Sequence, residues 1–324
     1  MKRRKALKNT IIGLGGISLL SSFTKMESLM NLLKVDQKIG IQLFTIPFLV
    51  DNDFEGALKM LSEMGYREIE LFGPYPFSHD NSKQVFTQMQ QMLNLKQHSF
   101  YGKSAKETSE LMKDLGLTVP SVHCYIDSLR YGMNDFLEGM KPLAPKYAVI
   151  PALMNPEDRN SKEAYLKLAE EFNGFGKQMK AHSMKFAYHN HGYEHIAFDG
   201  EMGLDILLNN TDPEFVQFEL DIFWMKAAGQ EPIDYLKKYP NRFKMMHVKD
   251  AAKKFRFKGD GSTPDQWMEG FPLMSDPGDG IFDIQAMIEQ GIASGVEHFY
   301  LERDMAPEPE QTLKNSIDKL NKMM

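Results

Sequence analysis

From Lys38 onward, short apolar, β-rich runs alternate with stretches whose apolar residues recur at helical spacing. The alternation predicts strands over Lys38–Ile46, Arg67–Phe72, Thr118–Tyr125, Tyr147–Met154, Lys185–His191, Phe215–Met225, Phe243–Asp250 and Glu297–Asp304. Helices are expected over Phe54–Met64, within Lys83–Leu115 with a break near Ser99–Lys103, and over 134–142, Ser161–His182, Gly203–Leu208, Ile233–Lys238, Asp283–Ala293 and Pro309–Met323. The helix Ser161–His182 is the clearest. Ala164, Leu168, Phe172 and Phe175 follow its periodicity, and Ser161 offers an N-cap side chain. Eight strand-then-helix units imply a parallel α/β sheet with helical crossovers, closed on itself as a single-domain (β/α)8 TIM barrel. An open doubly wound sheet normally needs fewer units. No Gly-x-Gly-x-x-Gly follows the first strand, and no Gly-rich phosphate loop ending in Lys-Ser/Thr is present. The connection after strand seven, over 251–280, is long and ends rich in Gly, Pro and Asp, as in lids and binding loops.

Buried parallel strands should be continuously apolar, yet six of these end in ionisable groups. The second ends at Glu70 and the third at His123. The fifth ends His189-Asn190-His191, with Glu194 shortly after. The sixth holds Glu219 and Asp221, the seventh ends His247-Val248-Lys249-Asp250, and the eighth ends Glu302-Arg303-Asp304. In a barrel the C-terminal strand ends converge on one mouth. An isolated buried carboxylate or imidazole is costly unless paired or metal-bound, so the joint set Asp221, His247 and Glu302 points to one divalent cation with oxygen and nitrogen ligands. Mn, Mg, Zn, Co and Fe all suit it. Glu219 shares side-chain parity with Asp221 but lies earlier in the strand, which fits a supporting role behind the ligands.

The chain has 324 residues and a net charge of −6, with no sustained basic patch in its body, so nucleic acid is not favoured as a partner. A lone cysteine, Cys124, excludes an intrachain disulfide and reads as a small buried hydrophobe. Residues 1–30 differ from the rest, leaving 31–324 as the barrel domain. Lys2, Arg3, Arg4 and Lys5 precede an apolar run from Ile11 to Phe23 that is too short to span a bilayer comfortably. This has the build of a signal peptide and resembles a twin-arginine leader, with Ala6 where that signal usually has Phe. A periplasmic or extracytoplasmic destination is expected, with no stable membrane span after export.

Four segments together carry a family resemblance: Tyr188-His189-Asn190-His191-Gly192-Tyr193-Glu194, Glu219-Leu220-Asp221-Ile222-Phe223-Trp224, His247-Val248-Lys249-Asp250 and Gly278-Asp279-Gly280-Ile281-Phe282-Asp283. With them, residues 38–324 resemble the xylose isomerase-like barrel superfamily, the sugar phosphate isomerase/epimerase family, in its exported bacterial branch. Family epimerases hold their metal with a Glu, an Asp, a His and a Glu from strands five to eight. The last three carry over onto Asp221, His247 and Glu302. His189 stands where the strand-five Glu would be, so the fourth ligand is expected to be Glu194 folding back, or else His189.

The resemblance implies proton abstraction next to a carbonyl through an enediolate, as in a metal-dependent sugar isomerase or epimerase. Glu302, His189 and His191 would be the catalytic residues. Glu70, His123, Asn190, Trp224, Lys249 and Asp250 would contact a small carbohydrate, although a core or lid place for Trp224 is equally open. Loss of the second family glutamate leaves room for a lyase, a dehydratase performing β-elimination on a keto-sugar or keto-glycoside, or for a non-catalytic carbohydrate-binding barrel. Surface helices of such barrels often pair, so a homo-oligomer is possible.

Overall fold

Residues 38–96 and 100–324 are described by a computed structural model. The expected leader therefore lies outside the described residues. The strands are β1 (Ile39–Gln42), β2 (Glu68–Phe72), β3 (Ser121–His123), β4 (Tyr147–Ile150), β5 (Lys185–His189), β6 (Val216–Asp221), β7 (Phe243–Val248) and β8 (His298–Leu301). All pair in parallel, in sequence order, and β8 closes on β1. The helices are α1 (Pro47–Asn52), α2 (Phe54–Met64), α3 (Asp80–Leu93), α4 (Ala105–Asp114), α5 (Ile126–Met140), α6 (Lys162–Lys180), α7 (Gly203–Asn210), α8 (Ile222–Ala227), α9 (Pro232–Lys238), α10 (Pro264–Gly270), α11 (Ile284–Ala293) and α12 (Pro309–Met323). No helix among the described residues is long and apolar enough to cross a membrane.

Local chemistry sets many boundaries. Ser161 and Asp283 cap α6 and α11 through side-chain bonds to Ala164 and Ala286 N–H, and Gly65 ends α2 at φ +107°. Most expected strands are shortened at their C-terminal ends. β1 stops at Gln42 because the Gln42 side chain accepts from Phe44 N–H and starts a 3-10 turn. β6 stops at Asp221, which caps α8, so Ile222 to Met225 are helical rather than extended. The helix expected over 134–142 is the second half of α5, which begins soon after β3 and kinks at Gly132.

Apolar residues fill two places. Outward side chains such as Ile69, Phe186, Phe218, Met246 and Phe299 pack beneath the helices. Tyr147, Val149, Ala187, Met245 and Tyr300 form a separate layer that floors the barrel interior. Above this floor the interior turns polar.

Candidate metal centre and active site

Side chains alternate across a strand, so each strand lifts a column of inward residues from floor to mouth. On β5 the column runs Ala187, His189, and on β7 it runs Met245, His247, then Lys249. On β8 it runs Tyr300, then Glu302, and on β6 it holds Glu219 and Asp221. Registry places His189 beside Glu219 and Asp221 beside His247.

The lower polar tier is a histidine–carboxylate network. Glu219 Oε2 lies 2.9 Å from His123 Nε2, 3.0 Å from His189 Nδ1 and 3.2 Å from His247 Nε2. Glu70 Oε2 meets His247 Nε2 at 2.7 Å and His123 Nε2 at 3.0 Å, and Gln42 reaches His123 Nδ1 at 3.1 Å. These bonds occupy one nitrogen on each of two rings: Nδ1 of His189 and Nε2 of His247. The opposite nitrogens face the mouth, toward Asp221.

Asp221 divides its two oxygens. Oδ1 caps α8 by accepting from Trp224 N–H at 2.8 Å. Oδ2 is buried and its one close partner is the Lys249 ammonium at 3.0 Å, with His189 Nε2 at 3.7 Å and His247 Nδ1 at 3.8 Å. Glu302 Oε2 stands 2.5 Å from that same His247 Nδ1. The imidazole–Asp221 separations are too long for hydrogen bonds but suit ligands that share an ion. Asp221, His247 and Glu302 bring ligand atoms close enough together to share one divalent cation, and His189 Nε2, beside Asp221 Oδ2, is the nearest further donor on β5. Glu219 would be the carboxylate that orients both imidazole ligands.

Charge balance supports that fit. Glu70, Glu219, Asp221, Glu302 and Asp304 are all buried here, and Lys249 is the one lysine among them. Its ammonium lies 3.0 Å from Asp221, 2.7 Å from Glu302 and 2.7 Å from Asp304. Burial opposes its charge, but these carboxylates win and hold it well above the usual lysine range. Burial likewise opposes charge on His247, and Glu219, Glu302 and Glu70 overcome it. His123 is held at about 9 against burial by Glu70 and Glu219. Burial pushes His189 and His191 down; Glu219 works against it at His189, while His189 and Lys249 add to it at His191. Glu302 is lowered because Lys249 and His247 outweigh its burial, whereas burial dominates at Asp304 and raises it to about 7.

A family model described as "Xylose isomerase-like TIM barrel" matches residues 58–323. The chain belongs to the xylose isomerase-like TIM barrel family. Among curated relatives it resembles an inosose dehydratase of Clostridium tetani, 36% identical over 90 residues, which is 28% of this chain and 30% of that protein. It also resembles an inosose dehydratase of Mesomycoplasma hyopneumoniae, 26% identical over 210 residues, 63% of this chain and 64% of the relative. The matches thus span less than two thirds of these relatives. A sugar phosphate isomerase/epimerase from Parabacteroides distasonis superposes with TM-score 0.67 at 22% identity, covering 88% of this chain and 93% of that one. An IOLI protein with a bound zinc atom superposes with TM-score 0.61 at 17% identity, covering 89% of this chain and 96% of that one. These likenesses bear on the fold.

Within this family member the structure sorts the expected site residues. Glu70, His123, His189, Asp221, His247, Lys249 and Glu302 converge at the mouth. Glu194 does not fold back. Its carboxylate accepts from the Tyr188 hydroxyl and from His191 N–H, behind β5, and burial raises its pKa to about 7. Asn190 shares the outward parity of Tyr188 and braces β5 to β6 by accepting from Asp221 N–H at 3.0 Å. Asp250 has the opposite parity to His247 and Lys249. It accepts from the N–H groups of Ala251, Gly278, Gly280 and Phe282, so it pins the long connection instead of touching substrate. Gly280 is required there, since a Cβ would stand 2.2 Å from Asp250 Oδ1.

That connection is ordered over the site. Its Phe257 stacks on Trp224, and Trp267 packs on His191 with ring centroids 4.5 Å apart. Trp224 is part of this lid cluster, lies parallel to His191 at 5.7 Å and also borders the cavity. His191 follows β5 and keeps its buried Nδ1 without a partner. The mouth encloses a cavity of about 340 Å³ lined by His123, His189, His191, Lys249, Glu302 and Asp304 among others. Gln42 and Trp267 had not been expected there, and Asp304 had been named only as an ionisable group at the end of strand eight. Inward parity marked Asp304 in the sequence, but nothing local marked Trp267.

Proposed function

We propose that the protein is a metal-dependent lyase that removes water, by β-elimination, from a keto-carbohydrate. The observation that carries this reading is the unlike chemistry of the proton-carrying groups that line the cavity. The imidazoles of His189 and His191, whose protonation burial opposes, come from the end of β5. The Lys249–Asp304 pair comes from the ends of β7 and β8. A proton shuttle between adjacent carbons is served by a matched pair of carboxylates, and here the strand-five carboxylate is replaced by His189. An elimination instead needs one base for carbon and a separate donor for the departing oxygen. The named dehydratase relatives favour this reading over the isomerase or epimerase expectation.

A divalent cation held by His189, Asp221, His247 and Glu302 would polarise the substrate carbonyl and acidify the neighbouring C–H. Two imidazole donors favour a transition metal or zinc over magnesium. His191 Nδ1, unpartnered and neutral, takes the proton from that carbon. The electron pair forms the new C=C bond as the β C–O bond breaks. The departing hydroxyl takes a proton from the Lys249–Asp304 side and leaves as water. Trp224 and Trp267 hold the His191 ring and keep bulk water from it. The basic, apolar leader supports an extracytoplasmic setting, which fractionation of the full-length chain would test.

Purified protein supplied with Mn, Co or Zn should convert a keto-inositol or a keto-glycoside to a conjugated enone with loss of one water by mass, and His191→Ala should abolish this. Product of unchanged mass would return the reading to isomerisation. Saturable binding without turnover would leave a carbohydrate-binding barrel.

A further inference from the structure

The cavity has two halves of opposite chemistry. Besides the carboxylates and imidazoles, the lining includes α3, which contributes Val85, Met89 and Met92 at i, i+4, i+7, with Gln88 and Leu93 beside them. Met154 and Met268 continue the wall from the loop after β4 and from α10. Three of these residues are open to solvent: Met92 at 56%, Met154 at 38% and Met268 at 38%. Methionine supplies adaptable apolar surface suited to an occupant of irregular shape, and exposed apolar patches beside a site mark binding surfaces. Among the described residues no arginine lines the cavity. Its one lysine, Lys249, is already held by Asp221, Glu302 and Asp304. Among the described residues a phosphate group finds no free cation there.

We infer that the substrate is amphiphilic: a polyhydroxylated keto ring at the metal centre carries an apolar, most simply aromatic, substituent that lies against the Met89–Met92–Met154–Met268 wall. This rests on the keto-carbohydrate reading for the polar half and on the wall alone for the apolar half. The cavity, about 340 Å³, falls within the range of about 300–1,000 Å³ typical of pockets for drug-sized ligands.

The chain contains two tryptophans, Trp224 and Trp267, and both border this cavity, so intrinsic fluorescence reports its occupancy. Titrating the protein with phenyl and methyl β-glucoside, which lack the ketone that the proposed elimination requires, should give at least about tenfold tighter binding of the phenyl compound. In a Met89→Ser/Met92→Ser double variant, whose positions are partly exposed and whose folding is checked by its melt, that preference should largely collapse. Equal affinities, no binding of the phenyl compound, or tighter binding of glucose 6-phosphate overturns the inference. So does a change from dimer to monomer in the double variant with no phenyl preference, which would give the wall to a second copy of the chain. Water loss from keto-inositols without a phenyl preference sinks the apolar half alone. A phenyl preference without water loss from any keto-carbohydrate sinks the lyase reading and leaves the wall assigned.

Discussion

The floor and the mouth of this barrel are built by the same strands, one pleat apart. Ala187, Met245 and Tyr300 close the floor, and two residues onward His189, His247 and Glu302 form the site. The floor gains free energy from apolar burial. The mouth buries charges that each cost several kcal/mol unless paired. Here the pairing is shared: Glu219 touches three imidazoles and Lys249 three carboxylates. The difference teaches that a single step along the alternation separates residues selected for packing from residues selected for chemistry.

The comparison breaks most visibly at the ligands. Asp221→Ala or His247→Ala should strip the metal and lower kcat/KM by about 10³-fold or more. Elemental analysis beside the assay checks this, and one ion per chain retained in both variants would falsify the assigned ligand set. A smaller effect is expected one layer down. Glu219→Gln keeps every proposed ligand but loosens two imidazoles, so metal affinity should drop about 10–100-fold, read by competition with a chelator. In contrast, Met245→Ala on the floor should cost about 2–5 kcal/mol of stability while metal content stays unchanged, measured by denaturant unfolding and elemental analysis on one preparation.

The smallest effect concerns Glu194, outside both layers. Burial raises its pKa from 4.5 to about 7. An acid with a raised folded pKa contributes stability that is complete below its unfolded pKa and is lost as pH rises through the folded value. Wild type should therefore lose more Tm between pH 5 and pH 8 than Glu194→Gln does. Parallel Tm–pH curves would show that this carboxyl titrates normally.

Much of this was legible in the order of residues. The eight strand–helix alternations carry the barrel, because a hydrophobic period of two or of 3.6 is local to each segment. Asp221, His247 and Glu302 stood out because ionisable groups interrupt runs that burial requires to be apolar. The misassignments came where parity or distance decided. Asn190 and Asp250 sit in the right motifs, but their side chains leave the opposite face of the strand, and each became a brace. Glu194 lies close to His191 in sequence, yet the turn after β5 carries it behind the strand to the Tyr188 hydroxyl. Trp267 reaches the site from a 30-odd-residue connection, and only the packing of that connection on Trp224 brings it there.

By itself the sequence determined the alternation, the inward columns of the strands and the excess of acid at their ends, since these depend on backbone geometry and on burial along each segment. Tertiary structure alone decided which nitrogen of each imidazole is occupied, that His189 rather than Glu194 faces Asp221, and that a methionine wall meets the polar site. Those outcomes depend on distances between strands and helices far apart in the chain, which close only when β8 pairs with β1.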